Sequence, residues 1–337
     1  MTRLNRREFL TAAAALGAAI PMAGLTGSLK AQEASAKAYK TKLYKSFIAG
    51  VPDADVCKAH ADAGFEGLEV TSWDIDPADA VANRKIAEDF GLRVQSVMRG
   101  WAELNAEDEA ARKASAETVK KAIRTAAAYG ADAVLLVPCR IDDAGPKPWE
   151  FNIKFDPATC KVSAVVDGDN APYQNYIKQQ NLATERTFEA LQEVIPVAAY
   201  EGVTIALENV WNNLWVKPDF AAAFVKMFDS RWVRAYLDLG NHVKYAPPVE
   251  WLNALGPDLI TKLHVKDYRL DDETKADAWK GFCGMGHGTV DWVEVRDEIE
   301  KLNISSWISY EEGNYTPAQY GVIMDNFVNG KKIVAPE

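Results

Sequence analysis

The sequence predicts a single α/β domain of the (β/α)8 TIM-barrel class, with an insertion after the fourth strand. Short strand-like runs alternate with longer helical segments through residues 37–337, and eight strand-then-helix units suit one barrel. Several strands follow a glycine that would end the preceding helix, namely Gly64, Gly91, Gly130 and Gly202. An open doubly wound sheet is disfavoured, because residues 47–52 (Phe-Ile-Ala-Gly-Val-Pro) do not form a glycine-rich phosphate loop.

Hydrophobic patterning places the elements in chain order. The predicted strands cover residues 42–47, 67–70, 92–98, 133–137, 203–208, 233–238, 260–264 and 306–311. The predicted helices cover residues 53–63, 77–90, 106–129, 187–200, 219–227 and 290–302.

The segment 138–182 interrupts this repeat. It is rich in Asp, Pro, Gly and Asn, and so long a connection inside a compact domain is usually functional or disordered. We interpret it as a βα-loop insertion on the active face of the barrel. A solvated decoration or a dimer contact is the alternative.

The N-terminus predicts export. Arg6 and Arg7 precede a weakly apolar run, residues 11–23, which is too short and too rich in Ala and Gly to span a bilayer stably. Residues 34–36 (Ala-Ser-Ala) offer a cleavage site, so we expect residues 1–36 to be a twin-arginine signal peptide and residues 37–337 to form the barrel. The expected partner is the twin-arginine export machinery and the expected location is the periplasm, with no stable membrane span after processing. An uncleaved anchor helix is the alternative.

The charge of the chain argues against a nucleic-acid partner. Asp and Glu number 48 against 38 Lys and Arg, which gives a formal net charge of -10. Binding to phosphates needs a basic face. The four cysteines show no close zinc-finger spacing.

Four strong metal-ligand side chains stand at the ends of the last four predicted strands: Glu208, Asp238, His264 and Glu311. In a barrel of this class the reacting groups lie where strands end and βα loops begin. Three carboxylates that converge there would repel one another without a cation, so we predict one divalent metal ion. The donor set suits Mn²⁺, Mg²⁺ or Co²⁺, and Zn²⁺ is an alternative. Glu312 competes with Glu311, which fits the strand-end pattern of Glu208 better.

This arrangement resembles the metal site of the xylose isomerase-like TIM barrel superfamily, in particular its sugar phosphate isomerase/epimerase branch with the ketose 3-epimerases. The supporting motifs are residues 64–69 (Gly-Phe-Glu-Gly-Leu-Glu), 207–209 (Leu-Glu-Asn), 238–242 (Asp-Leu-Gly-Asn-His), 264–267 (His-Val-Lys-Asp) and 284–292 (Gly-Met-Gly-His-Gly-Thr-Val-Asp-Trp). The resemblance covers essentially all of residues 37–337.

The resemblance implies a metal-dependent sugar isomerase or epimerase, with manganese the expected ion. Glu208 and Glu311 would flank the substrate, remove a proton next to its carbonyl and return one, with the enediolate stabilised by the metal. Return of the proton to the neighbouring carbon would give isomerisation, and loss of a β-substituent would make the enzyme a lyase or dehydratase on an oxidised sugar or keto-glycoside. A role for both glutamates in metal binding alone stays open. Relatives of this kind often form homodimers or homotetramers.

Further side chains near the strand ends are candidates for binding a small carbohydrate substrate: Glu69, Trp101, Asn209, Trp211, His242, Lys266, Asp267 and His287. Tryptophan rings pack well on the C–H faces of sugars. Alternatives are that the tryptophans pack loops on the barrel, that Glu69 neutralises Arg99 or Arg140, and that Lys266 and Asp267 form a surface ion pair. Asp267 is also expected to orient either a ligand or a neighbouring loop, Asn209 is a candidate hydrogen-bond donor beside the metal ligands, and His287 lies in a glycine-rich loop whose mobility is the alternative to a ligand contact. His242 lies four residues after Asp238, whereas relatives often place a substrate-binding His three residues after it, so a loop histidine that faces solvent is the alternative.

Two other functional classes are less consistent with the sequence. An endonuclease of the same superfamily would need additional histidine ligands, and the chain has only four histidines and an acidic charge. A non-catalytic sugar-binding protein would not need convergent acids. No basic phosphate pocket is evident, which together with export argues against a phosphorylated substrate.

Overall fold

The computed structural model describes residues 38–311 and 315–336 and contains a closed barrel of eight parallel strands. The strands are β1 (Leu43–Ala49), β2 (Gly67–Val70), β3 (Arg93–Trp101), β4 (Ala133–Val137), β5 (Thr204–Glu208), β6 (Val233–Asp238), β7 (Ile260–Val265) and β8 (Ser306–Tyr310). Each strand pairs with its neighbours in sequence, and β8 pairs with β1 to close the ring. The predicted fold class is therefore confirmed. The predicted signal peptide lies outside the described residues.

Eight longer helices accompany the strands in the part of the chain that the structure describes. They are α1 (Ala54–Asp62), α2 (Pro77–Asp89), α3 (Glu109–Tyr129), α4 (Gln174–Glu201), α5 (Pro218–Met227), α6 (Pro248–Leu259), α7 (Trp292–Lys301) and α8 (Pro317–Val328). Aspartate side chains accept backbone N–H bonds at the starts of the first three helices. Gly130 and Gly202 end α3 and α4 with φ of 73° and 71°, a left-handed backbone that glycine adopts without strain.

The helix predictions need three corrections. Helix α4 begins at Gln174 and not at residue 187, so the last part of the predicted insertion is helical. Helix α6 was not predicted, because Gly256 and Pro257 interrupt its pattern, and Gly256 has a non-helical backbone. Helix α8 was also missed, although its buried residues recur at the helical spacing 320, 323, 324 and 327.

The remaining insertion is ordered and packs against the loop that follows β5. It contains a small antiparallel pair, Lys154–Phe155 with Val162–Ala164. At its start, Ile141 N donates to Asn212 O, and just after its end, in the first turn of α4, the Tyr176 hydroxyl donates to Asn213 O at 2.9 Å. The insertion therefore supports a loop that begins one residue after Glu208.

Alternation along the strands decides which side chains enter the barrel. In β5 to β8 the residues Ile205, Leu237, Leu263 and Ile308 belong to the main apolar core, to which the helices also contribute. Their neighbours in sequence point to the opposite face, the barrel interior. Along with a small apolar group around Leu135 and Tyr236, this interior holds the acids at the strand ends. Within the described residues, no helix has the length and apolar character that a membrane span requires.

Candidate metal centre

The four predicted ligands meet at the carboxyl ends of β5 to β8. Glu208 and Asp238 are the last residues of β5 and β6, His264 is the penultimate residue of β7, and Glu311 directly follows β8. The strand register places Asp238 beside His264. One ligand atom from each of the four side chains lies within 4.8 Å of the others. Glu312, the alternative to Glu311, lies outside the described residues.

His264 Nδ1 faces all three carboxylates. It lies 3.1 Å from Glu311 Oε2, 3.6 Å from Glu208 Oε1 and 3.9 Å from Asp238 Oδ2. The side chains of Asp238 and His264 have no exposed area, whereas 8% of Glu208 and 29% of Glu311 is exposed. The two glutamates are therefore the ligands that a substrate in the barrel mouth could reach.

Two buried atoms of the cluster support its assignment to a cation. Asp238 Oδ2 and His264 Nδ1 are inaccessible to solvent, and neither makes a hydrogen bond within residues 38–311 and 315–336, although Asp238 Oδ2 forms an ion pair with Lys266 Nζ at 3.2 Å. Buried polar atoms without a hydrogen bond are rare in folded proteins. Three carboxylates and one imidazole are also a donor set that Mn²⁺ and related divalent ions accept. The residues present therefore fit a divalent metal ion.

The pKa shifts show that burial opposes ionisation of the carboxyl groups in this cluster. Burial raises the pKa of Glu208 to about 7, and the nearby Glu311 carboxylate adds to this effect. Burial likewise raises the pKa of Asp238. Burial opposes ionisation of Glu311 as well, but His264 and Lys266 hold the pKa of this carboxyl well below its usual range. Burial favours the protonated forms of Glu208 and Asp238 when no metal is present, and a bound divalent ion would displace these protons.

Glu69, predicted as a substrate contact, instead lies beneath the cluster as the partner of His264. It is fully buried and accepts a hydrogen bond from His264 Nε2 at 2.6 Å. The hydroxyls of Ser96 and Tyr236 also donate to this carboxylate, at 3.0 and 3.2 Å. The hydrogen bond from His264 Nε2 to Glu69 fixes the imidazole so that Nδ1 points at the three acids of the cluster. Sequence patterning did not indicate Ser96 or Tyr236.

Two asparagines hold the ends of β5 and β6. Asn209 donates to Asp238 O at 2.8 Å and accepts from Asp238 N at 2.7 Å, which locks the two strand ends together. Asn241, whose role was not predicted, donates from Nδ2 to Glu208 Oε1 at 3.2 Å. Asp238 Oδ1 accepts the backbone N–H groups of Gly240 and Asn241, so only Oδ2 is left to face the cluster.

Lys266 joins the cluster directly. Its Nζ lies 2.8 Å from Glu311 Oε2 and 3.2 Å from Asp238 Oδ2, and its side chain is only 4% exposed. Burial opposes the ammonium form, but the three acids of the cluster hold the pKa of Lys266 above its usual range. The surface ion pair that the sequence left open is therefore not the arrangement observed.

Asp267 and His287 belong to one loop system beside the site. Asp267 is buried, and its Oδ2 accepts the N–H groups of Gly286 and Gly288 at 2.9 and 3.1 Å. A Cβ atom on Gly288 would lie 1.9 Å from Asp267 Oδ1, so only glycine fits there. His287 is exposed on the same loop. Asp267 thus fixes a loop, one of the two roles that the sequence suggested.

The predicted tryptophans lie on loops at the strand ends, in two places. Trp101 ends β3, is 44% exposed and has the Arg140 guanidinium 4.3 Å above its ring. Trp211 follows β5 and contacts Trp279, with ring centres 4.5 Å apart, while Lys244 Nζ lies 3.3 Å from its ring centre. Trp211 Nε1 donates to Asn241 O, which connects this aromatic group to the residue that holds Glu208.

His242 does not join the cluster. Its ring is buried beside Tyr245 and Trp251, and its Nε2 lies 2.9 Å from Val210 O. Burial lowers the pKa of His242 to about 3, so the ring is neutral. These contacts make His242 a packing residue of the loops and differ from both interpretations of the sequence, a substrate contact and a solvent-facing loop residue.

Comparison with known proteins agrees with this architecture. The L-ribulose-5-phosphate 3-epimerase UlaE of Escherichia coli is 27% identical over 132 residues, which are 39% of this chain and 44% of that protein. The chain spans less than half the length of the curated relatives that match it first.

Two solved structures share the fold over most of the chain. A D-tagatose 3-epimerase-like protein gives a TM-score of 0.62 at 19% identity, and the match covers 85% of this chain and 98% of that protein. The 3-keto-D-glucoside 4-epimerase YcjR of E. coli gives a TM-score of 0.57 at 15% identity, and the match covers 85% of this chain and 99% of that protein. A family model matches residues 57–325, and this chain belongs to the xylose isomerase-like TIM barrel family.

Proposed function

We propose that this chain is a divalent-metal-dependent sugar isomerase or epimerase that abstracts a proton next to a carbonyl group. The observation that carries the proposal is the convergence of Glu208, Asp238, His264 and Glu311 at four successive strand ends. The epimerase names of the relatives support the reaction class. Mn²⁺ is the ion we expect, with Mg²⁺, Co²⁺ or Zn²⁺ as alternatives.

The bound ion would supply positive charge that stabilises the oxyanions of an enediolate-like substrate. Glu208 and Glu311 are the acid and base in this proposal, because they alone among the four ligands have exposed area. They lie on β5 and β8, separated by β6 and β7 around the ring. A substrate bound between them would meet one carboxylate on each face, so that one removes a proton and the other returns one.

The substrate class we propose is an unphosphorylated sugar or glycoside. The acidic cluster at the centre of the mouth would repel an anion, and the exposed rings of Trp101 and Trp279 offer apolar surface for sugar faces. Trp211 would add a further ring, and the neighbouring loops would supply the polar contacts. A relative acting on a keto-glucoside supports this class, although another relative acts on a sugar phosphate.

Incubation with keto-sugars in deuterium oxide tests the proposal. Epimerisation or isomerisation predicts deuterium at the carbon next to the carbonyl, with the sugar otherwise intact, and loss of this label in Glu208→Gln and Glu311→Gln. Glu117→Gln is the control, because Glu117 lies on the surface and pairs with Lys120. Release of water or an aglycone would instead establish the lyase alternative.

A non-catalytic sugar-binding protein remains a distinct outcome of the same experiment. It would bind the sugar equally well after removal of the metal and would exchange no proton. We consider catalysis the better explanation, since burial of Glu208 and Asp238 close to the Glu311 carboxylate is unfavourable, and a site for sugar binding alone does not need this arrangement.

We also propose that residues 1–36 direct export to the periplasm through the twin-arginine machinery, as the paired Arg6 and Arg7 suggest. Cell fractionation tests this step: replacement of both arginines by lysine would retain the unprocessed chain in the cytoplasm. An unchanged distribution would contradict the proposal. The homodimer or homotetramer expected from relatives is tested by the mass of the purified protein in solution.

A further inference from the structure

Lys266 contacts the same oxygen atoms that would hold the metal. Asp238 Oδ2 and Glu311 Oε2 face His264 Nδ1, and these two oxygens are also the ones that Lys266 Nζ approaches, to 3.2 and 2.8 Å. Two of the proposed metal donors are thus already paired with a positive charge that belongs to the chain.

The ammonium group has little freedom to leave this position. A Cβ atom on Gly240 would lie 2.4 Å from Lys266 Cγ, so the β6 loop packs closely against the aliphatic part of the side chain. On another side, the Phe282 ring lies 5.6 Å from Nζ. With 4% of its side chain exposed, Lys266 cannot exchange its acidic partners for water without moving the surrounding loops.

We propose that Lys266 is the resident counter-ion of the acid cluster. It holds Asp238 and Glu311 together when no metal is bound, and it lowers the affinity for a divalent ion because two positive charges then share the same carboxylates. This inference rests on the metal site of the proposed function. It assigns to Lys266 a role distinct from substrate contact, and it does not require that the reaction be known.

Titration of the metal-stripped full chain with Mn²⁺ tests the inference, with free Mn²⁺ followed by electron paramagnetic resonance. Lys266→Met removes the charge and keeps most of the volume. We expect the Kd for Mn²⁺ to fall by about tenfold or more, and the unfolding temperature of the metal-free protein to fall. A merely structural lysine would not produce this combination of tighter metal binding and lower stability.

Lys262 provides the matched control. It lies on β7, the strand that Lys266 directly follows, is 3% exposed, and pairs with Asp132 Oδ1 at 2.6 Å. Asp132 directly precedes β4, at the end of the barrel opposite the metal centre. Lys262→Met should lower the unfolding temperature and leave the Kd for Mn²⁺ within about twofold of wild type.

Lys266→Gln is the second variant, because its amide still donates to the acids but carries no charge. If Lys266→Met folds only after Mn²⁺ is added, the inference is supported. If Lys266→Met does not fold at all, Lys266→Gln replaces it in the titration, and a lower Kd for Mn²⁺ than that of wild type supports the inference. An unchanged or weaker affinity in a folded neutral variant overturns the inference alone. Failure of the wild-type chain to bind Mn²⁺ would overturn the metal site of the proposed function as well.

Discussion

Replacement of Glu69 by glutamine should weaken metal binding although Glu69 is not a predicted ligand. The carboxylate is fully buried and accepts hydrogen bonds from three donors, His264 Nε2, Ser96 Oγ and Tyr236 OH. A glutamine keeps one acceptor oxygen and turns the other into an amide group, which itself donates. The amide would face Ser96 Oγ in one orientation and His264 Nε2 in the other, and in either orientation the negative charge that holds the imidazole would be lost.

The size of the effect follows from the contact between His264 and Glu69. Its N···O distance is 2.6 Å, and hydrogen bonds to a charged group contribute about 1.5–3 kcal/mol. A loss of about 2 kcal/mol in the orientation of His264 corresponds to about 30-fold in the Kd for the metal, since about 1.4 kcal/mol is tenfold. This estimate lies inside the range of about 10–100-fold seen when carboxylate partners of metal-bound histidines are removed.

Calorimetric titration with Mn²⁺ would measure this loss. Glu66→Gln is the matched control, because Glu66 lies three residues earlier, is exposed, and accepts only the Lys45 backbone N–H at 3.1 Å among the hydrogen bonds described. The control should bind Mn²⁺ like wild type. If Glu69→Gln binds Mn²⁺ within about twofold of wild type while folded, the orienting role of Glu69 is refuted.

Three further predictions concern activity and acid stability. Glu208→Gln and Glu311→Gln should each reduce proton exchange into substrate by about 100-fold or more with the fold retained, as measured by deuterium incorporation and thermal unfolding. Removal of metal with EDTA should abolish exchange, and Mn²⁺ should restore it; activity that survives chelation would count against the proposed function. His242 is buried neutral with a pKa of about 3, against 6.5 for an ordinary histidine. Because the unfolded chain binds the proton first, the stability this residue contributes is complete above pH 6.5 and is lost as the pH falls towards 3, by about 2 kcal/mol between pH 6.5 and 5. Urea unfolding at pH 7 and pH 5 should therefore show a smaller acid loss in His242→Gln, and an equal loss would exclude the assignment.

The proposed metal ligands could be predicted from sequence because their positions depend on short-range order. Strand alternation puts Glu208, Asp238 and His264 on the inner face, and parallel strands bring their carboxyl ends to one edge. The prediction that these side chains converge therefore needed only the strand assignments, which the structure gives with small shifts at the ends.

The partners of the ligands could not be predicted in the same way. Glu69 and His264 are 195 residues apart, and nothing near either residue indicates that their side chains meet. The same limit applies to His242, whose position four residues after Asp238 places its ring among Tyr245 and Trp251. Local patterning gives the face of a strand on which a residue lies, whereas a side-chain contact across the barrel depends on how the ring closes.

Closure of the ring is what makes the candidate site possible. The four acids and His264 come from β5 to β8 and from β2, and the path from β7 to β2 around the ring passes through β8 and β1. The bond between Glu69 and His264 therefore crosses the barrel interior and joins two strands that the pairing of β8 with β1 brings close together. A chain segment that carried β5 to β8 alone would contain all four ligands and lack the carboxylate that orients the imidazole. The arrangement of the proposed ligands is thus a property of the closed barrel, and changes that loosen the pairing of β1 with β8 should weaken binding of Mn²⁺ although they lie far from the ligands.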